Sequence, residues 1–270
     1  MKTKNSLMRS IAAAPHVFWA LLFIVLPLII VIFYAFTDSN GIFSFENIFS
    51  LSDYAPIFGL SIELAIIATA ICLLLGYPLA YIISKAKPKM QKFYIMLIML
   101  PMWTNLLIRT YSLMAILDNG GILNTLLGTS MKIVGTKGAV IFGMVYDFLP
   151  YMVLPIYTCV SKIDKNMWEA ASDLGCNNFM TLIKVILPLS RSGIISGVTM
   201  VLVPSISTFY ISQKLGGGTF ELIGDTIERQ FLTGALNVGA AISLVMMILI
   251  LISLAVMNKF GDDEDGGIVV

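Results

Sequence analysis

The chain has 270 residues, of which 58% are hydrophobic and only 12% charged, with a formal net charge of +1 and a mean hydropathy of +0.90. Soluble domains carry about twice that charged fraction, and this length is ample for a soluble core, so the apolar excess points to lipid as the solvent. The near-neutral balance excludes a polybasic nucleic-acid surface, and no stretch reads as a basic recognition helix.

Six apolar runs approach or exceed the ~20 residues that a helix needs to cross a bilayer. They cover 17–36, 60–84, 93–117, 139–160, 185–211 and 236–257. The expected class is therefore an all-α integral membrane protein with six transmembrane helices. The first run follows Lys2, Lys4 and Arg9, as a signal peptide would. It is longer than an ordinary signal core and lacks a clear A-x-A site, so it reads as an uncleaved anchor.

Basic residues set the orientation. With the N-terminus inside, the internal segments hold twelve: Lys2, Lys4, Arg9, Lys85, Lys87, Lys89, Lys92, Lys162, Lys165, Lys184, Arg191 and Lys259. The external ones hold four: Lys132, Lys137, Lys214 and Arg229. That asymmetry places both termini in the cytoplasm. Pro27, Pro78, Pro101, Pro150, Pro155, Pro188 and Pro204 interrupt the runs. Each removes a backbone donor and bends its helix, which fits plain kinking and a bundle that opens and closes equally well.

The internal segment 161–188 carries the most information. Asp164 is placed to cap a helix on which Met167, Ala170, Ala171 and Leu174 form one apolar face. Gly175 sits where a left-handed residue would end it, and a second helix starts near Asn177 or Asn178 and runs toward Pro188. Such a face is too small for a membrane and needs a protein to cover it. Ala170 and Ala171 allow close approach, and Glu169 offers a charged hydrogen bond to fix register.

Glu169-Ala170-Ala171, three residues, Gly175, nine residues and then Val185-Ile186-Leu187-Pro188 resemble the EAA loop of ABC importer permeases. Val185 stands where that pattern usually has Ile. Leu100-Pro-Met-Trp-Thr-Asn-Leu-Leu-Ile-Arg-Thr-Tyr111 resembles the third-span signature of the spermidine/putrescine, PotB-like type. Leu75-Gly-Tyr-Pro-Leu-Ala80 and Val203-Pro-Ser-Ile-Ser-Thr-Phe-Tyr-Ile-Ser212 resemble it too. There are two departures: Ser-Ile-Ser replaces a glycine-containing stretch, and Gln213 stands where Asp is expected.

The resemblance implies a type I ABC importer permease fold with a cytoplasmic coupling helix, in a bacterial plasma membrane. It implies an N-terminal tail, first helix and external loop over 1–59, a permease core over 60–257 and an acidic cytoplasmic tail over 258–270. Glu169, Ala170, Ala171, Leu174 and Gly175 would couple to a cytoplasmic ABC ATPase dimer, which would bind ATP and Mg; no cofactor is expected in this chain. A second homologous permease, pairing as a heterodimer, and an extracytoplasmic polyamine-binding protein complete the expected partners.

Ionisable groups inside spans are functional candidates by default. Glu63 either reaches the interface or serves the path. Arg109 and Asp147 either pair with each other or line the path, where Asp147, flanked by Tyr146, Phe148 and Tyr151, would attract an ammonium. Trp103, Asn105, Tyr151, Phe209 and Tyr210 are the remaining path candidates. The external acids Asp38, Glu46, Asp53, Asp118, Glu221, Asp225 and Glu228 suit a cationic solute.

No G-x-x-x-x-G-K-[ST] phosphate loop occurs, and the single histidine, His16, has no hydrolase motif around it. Gly216-Gly217-Gly218 reads as a flexible external turn. Cys72, Cys159 and Cys176 lack the spacing of a disulfide framework or zinc site and read as packing residues. Two other readings remain: an importer permease for an inorganic anion or ferric iron, and an ATPase-independent secondary transporter. The latter calls for paired internal repeats, and no clear repeat relates the halves.

Overall fold

A computed structural model describes residues 15–38 and 40–262. The chain divides into two compact units, one of residues 15–55 and 226–249, the other of 56–225 and 250–262. Lys2, Lys4 and Arg9, and the tail beyond Asp262, lie outside the described residues.

The principal helices in chain order are α1 (Pro15–Ala35), α2 (Ala55–Lys85), α3 (Pro88–Trp103), α4 (Leu106–Leu117) and α5 (Lys137–Val160). There follow α6 (Lys165–Asp173), α7 (Asn178–Leu189), α8 (Arg191–Ser207), α9 (Tyr210–Leu215), α10 (Ile223–Leu232) and α11 (Leu236–Asp262). Among the described residues the one extended pairing is an isolated bridge between Thr37 and Phe43.

Among the described residues, four helical segments are long and apolar enough to cross a bilayer alone: Pro15–Ala35, Glu46–Lys85, Lys137–Val160 and Leu236–Met257. The number is six if each of two bent pairs is one span. The apolar runs expected to be continuous at 93–117 and 185–211 are these pairs. α3 and α4 meet at 92°, and α7 and α8 meet at 72°.

The first bend has a local cause. Thr104 and Asn105 are extended, the Thr104 hydroxyl donates to the Pro101 carbonyl at 2.7 Å, and Asn105 Oδ1 caps the Leu107 amide at 2.8 Å. Short polar side chains here replace the helix's own bonds and restart it in a new direction. The second bend lies at Ser190, whose buried hydroxyl is 2.9 Å from the Tyr77 hydroxyl of α2.

Two of the prolines share a signature. A π-helical turn at Leu21–Val25 precedes Pro27, and another at Leu182–Ile186 precedes Pro188. Proline cannot donate and its ring crowds the preceding turn. Widening that turn by one residue accommodates it without breaking the helix.

In the smaller unit, Ala35 packs on Ala240, Ala241 and Leu244. The Asn237 side-chain amide donates to the carbonyls of Tyr34, Thr37 and Asp38 and so fixes the end of α1. The apolar window of α1 is 0% buried, as suits a helix whose surroundings are lipid.

In the larger unit, α5 supplies the axis of the core through Val140, Met144, Met152, Val153 and Ile156. Glycines let the neighbours close on it. Gly76 of α2 lies against Met152 and Val153, while Gly193 and Gly197 of α8 lie against Cys159, Pro155 and Met152. Without a hydrophobic drive between helices in lipid, such close backbone approach is what holds them. Large apolar side chains such as Leu74, Ile82 and Ile108 stay exposed on the outside.

Candidate coupling helix and substrate path

The loop after α5 folds as two helices joined by a glycine bend. Asp164 Oδ1 accepts from the Asn166 amide at 3.0 Å and so caps the start of α6. At its end Gly175 takes φ +80°, and the Cys176 amide donates to the Ala171 carbonyl at 3.0 Å. This left-handed closure satisfies an end carbonyl and turns the chain. Asn177 Oδ1 then accepts from the Met180 amide at 2.8 Å and starts α7.

α6 has two different faces. On one, Ala171 is buried and the Trp168 ring lies 5.5 Å from that of Tyr81 on α2. The Lys85 ammonium sits 4.5 Å from both ring centroids. The other face is bare: Ala170 and Met167 are exposed and Leu174 is 85% exposed, while Glu169, also exposed, lines a groove with Trp168, Lys85 and Gln91. Sequence spacing placed Ala171 and Leu174 together, whereas the structure turns Ala171 inward and leaves Leu174 outside.

Of the path candidates, the structure joins Arg109 and Asp147. Arg109 Nη1 lies 3.3 Å from Asp147 Oδ1, with the side chains 12% and 2% exposed. The contact lacks hydrogen-bond geometry: Arg109 Nε and Nη1 and both carboxylate oxygens have no hydrogen-bond partner among the described residues. Glu63 stands apart from them, 3.7 Å from the Lys137 ammonium, both half-exposed.

The other candidates are spread over the same unit. Trp103 ends α3 and is 72% exposed, Asn105 caps α4, and Phe209 is an exposed residue before α9. Tyr151 lies 6.3 Å from Phe148, ring to ring, and edges a groove of about 610 Å³ between α5 and α8 that also contains Thr158, Lys162, Ser192 and Ser196. Tyr210 meets Tyr111 of α4.

Sequence reasoning passed over several of these partners. Trp168 adjoins Glu169, and Tyr81 and Lys85 are one helical turn apart, a spacing that signals a shared face; nothing in the sequence shows that they meet. Asp225, counted among the external acids, is buried. It accepts from the Ser212 hydroxyl and the Leu222 amide, each at 2.8 Å, and so is part of a structural network.

Long apolar helices, two sharply bent helix pairs, a buried ion pair and a helix–glycine–helix loop describe a multi-pass membrane protein. The chain belongs to the family of binding-protein-dependent transport system inner membrane components, whose model matches residues 73–262. It is 37% identical over 271 residues to the spermidine/putrescine transport system permease protein PotB of Haemophilus influenzae, covering 93% of this chain and 95% of that one. The protein of the same name from Escherichia coli K12 is 38% identical over 228 residues, covering 79% and 83%.

The fold matches ABC importer permeases of known structure. One is a chain of a bacterial ABC transporter involved in the import of the acidic polysaccharide alginate, with TM-score 0.77, 17% identity and coverage of 97% and 98%. Another, from the MetNI methionine ABC transporter in an inward-facing conformation, has TM-score 0.61, 14% identity and coverage of 80% and 97%. The fold is that of a type I ABC importer permease, and the protein is a multi-pass inner membrane component.

Proposed function

We propose that this chain is the membrane-spanning subunit of an ATP-driven importer that carries polyamines of the spermidine and putrescine class into the cytoplasm. The observation that carries the ATP-driven part is the two-faced α6, which is clasped to its own bundle through Trp168 and Ala171 and bare at Ala170 and Leu174. A cytoplasmic ATPase dimer, holding ATP and Mg, covers that bare face. The polyamine part is supported by the identity to the PotB proteins over most of the chain.

The basic residues of the segments flanking the spans put α6 and both termini in the cytoplasm. A second, similar permease completes the pore, and an extracytoplasmic binding protein delivers the solute. Because α6 is continuous with α5 and α7 and touches α2, closure of the ATPases would shift all of them together. The bent spans α3–α4 and α7–α8 give the bundle two places to flex.

The test is uptake into membrane vesicles containing this chain, its partner permease, the ATPase and the binding protein. ATP-dependent accumulation of spermidine is expected, competed by putrescine and not by unrelated cations. E169A and G175V should each lower uptake about tenfold or more while this chain still reaches the membrane; at Gly175 a β-branched residue would be forced to φ +80°. Undiminished uptake by both variants would remove the coupling role of α6. Uptake indifferent to polyamines would end the substrate assignment.

A further inference from the structure

Tyr111 on α4 and Tyr210 at the start of α9 meet edge to face, with ring centroids 6.2 Å apart and planes at 80°. The ammonium of Lys214, one turn along α9, lies 5.2 Å from the Tyr111 centroid and 5.7 Å from that of Tyr210. Both distances are within the ~6 Å reach of a cation–π attraction. Among the described residues no carboxylate stands at ion-pair distance from Lys214. The two rings, with the Tyr111 hydroxyl beside them, are therefore what receives its charge.

The rings and the ammonium differ in how firmly they are held. α9 is wedged against α5: Ile211 and Leu215 are buried, and a Cβ added at Gly143 would come within 2.9 and 2.4 Å of them. Ser212 ties the same helix to Asp225 at 2.8 Å. Packing thus fixes Tyr210, while Lys214 reaches the rings through a flexible four-carbon stem that is only half-buried. Tyr111, 47% exposed, stands open on the other side, so the pair is an accessible aromatic face that carries a tethered cation.

The occupant's chemistry identifies the ligand. A lysine side chain ends in a primary alkylammonium, the same group that ends a linear polyamine. We propose that Tyr111 and Tyr210 form a subsite for a terminal primary ammonium of the transported polyamine, and that Lys214 occupies it until substrate displaces it. Two ammonium groups cannot share the rings without like-charge repulsion, so entry of one requires that the other swing out. Asp147 is not an equivalent site, since Arg109 already balances its charge. This inference rests on the polyamine reading above.

The experiment uses the complete importer in lipid nanodiscs. Equilibrium binding of labelled spermidine is measured without the binding protein, and ATP-dependent uptake is measured in parallel with it. K214Q should bind spermidine about threefold to tenfold more tightly than the unaltered importer, the range a cation–π contact freed of its competitor supports. K214R, which keeps a cation over the rings, should match the unaltered protein. Adding Y111A and Y210A to K214Q should abolish the gain, whereas Y111F and Y210F, which keep the ring faces, should preserve it.

An importer that accumulates spermidine but whose K214Q variant binds no more tightly overturns the subsite alone. A gain that survives loss of both rings does the same. No spermidine uptake by the unaltered importer overturns the polyamine reading and the subsite with it.

Discussion

Arg109 Nη1 lies 3.3 Å from Asp147 Oδ1, joining α4, just past the 92° bend, to α5 through a nearly inaccessible ion pair. Desolvating both charges is costly, and these atoms find no hydrogen bonds among the described residues to offset it. Removing one partner leaves the other charge stranded. R109A and D147A should therefore each destabilise the protein by about 3–5 kcal/mol, while the paired replacement R109M with D147L should cost far less or nothing. Thermal unfolding of the purified variants in lipid checks this. A double-variant loss equal to the sum of the two single losses would show that the pair is not coupled.

Trp168, Tyr81 and Lys85 make the clasp that seats α6. An aromatic pair contributes about 0.5–1.5 kcal/mol beyond its buried area, and an exposed cation–π contact about 0.5–1 kcal/mol. W168A should therefore weaken the seating of α6 and reduce ATP-dependent uptake several-fold, and W168F should restore most of it. With Trp19 and Trp103 replaced by Phe, Trp168 fluorescence should change when ATP and Mg are added to the assembled importer. An ATP-insensitive signal would place the clasp outside the moving parts.

The glycines of α8 should be intolerant of even a methyl group. A Cβ at Gly197 would lie 2.8 Å from Met152 Sδ and 3.1 Å from the Met152 carbonyl oxygen. At Gly193 it would lie 2.7 Å from Cys159 Cβ and 3.0 Å from the Pro155 carbonyl oxygen. G193A and G197A should each cost about 1–3 kcal/mol by forcing α5 and α8 apart. G59A in α2, with nothing within 4 Å, should be neutral or slightly stabilising. The same unfolding assay compares the three.

The turn after α1 should lose order in acid. The Asp38 carboxylate accepts from the Ile42 amide at 2.8 Å and the Asn40 amide at 2.9 Å. The Ile42 bond chiefly holds its pKa below the ordinary 3.8, against the opposing effect of desolvation. A depressed folded-state pKa means that the turn's contribution is complete above about 3.8 and fades as pH falls through the lower folded value. The Ile42 amide should exchange faster below that point, and D38N should remove the pH dependence.

Much of the architecture was legible because lipid imposes strict rules on a chain. Apolar runs long enough to span and a capped helix ended by glycine are each consequences of local chemistry. Asp164, Gly175 and Asn177 occupy the cap and bend positions that their side chains and φ preferences dictate. The 92° break at Thr104–Asn105 was harder to read, since hydropathy runs straight through it and only the competing hydrogen bonds of Thr104 and Asn105 mark it.

The sequence by itself thus determined the solvent, the approximate spans and the projecting loop, because those depend on residues close together in the chain. Tertiary structure alone decided which charges and rings meet. Arg109 and Asp147 are 38 positions apart in the numbering, and Lys214 and Tyr111 are 103 apart; both pairs were candidates or bystanders until helix packing set their distances. Composition fixes that a buried charge needs a partner, but the packing of α4 beside α5 fixes which partner comes within reach.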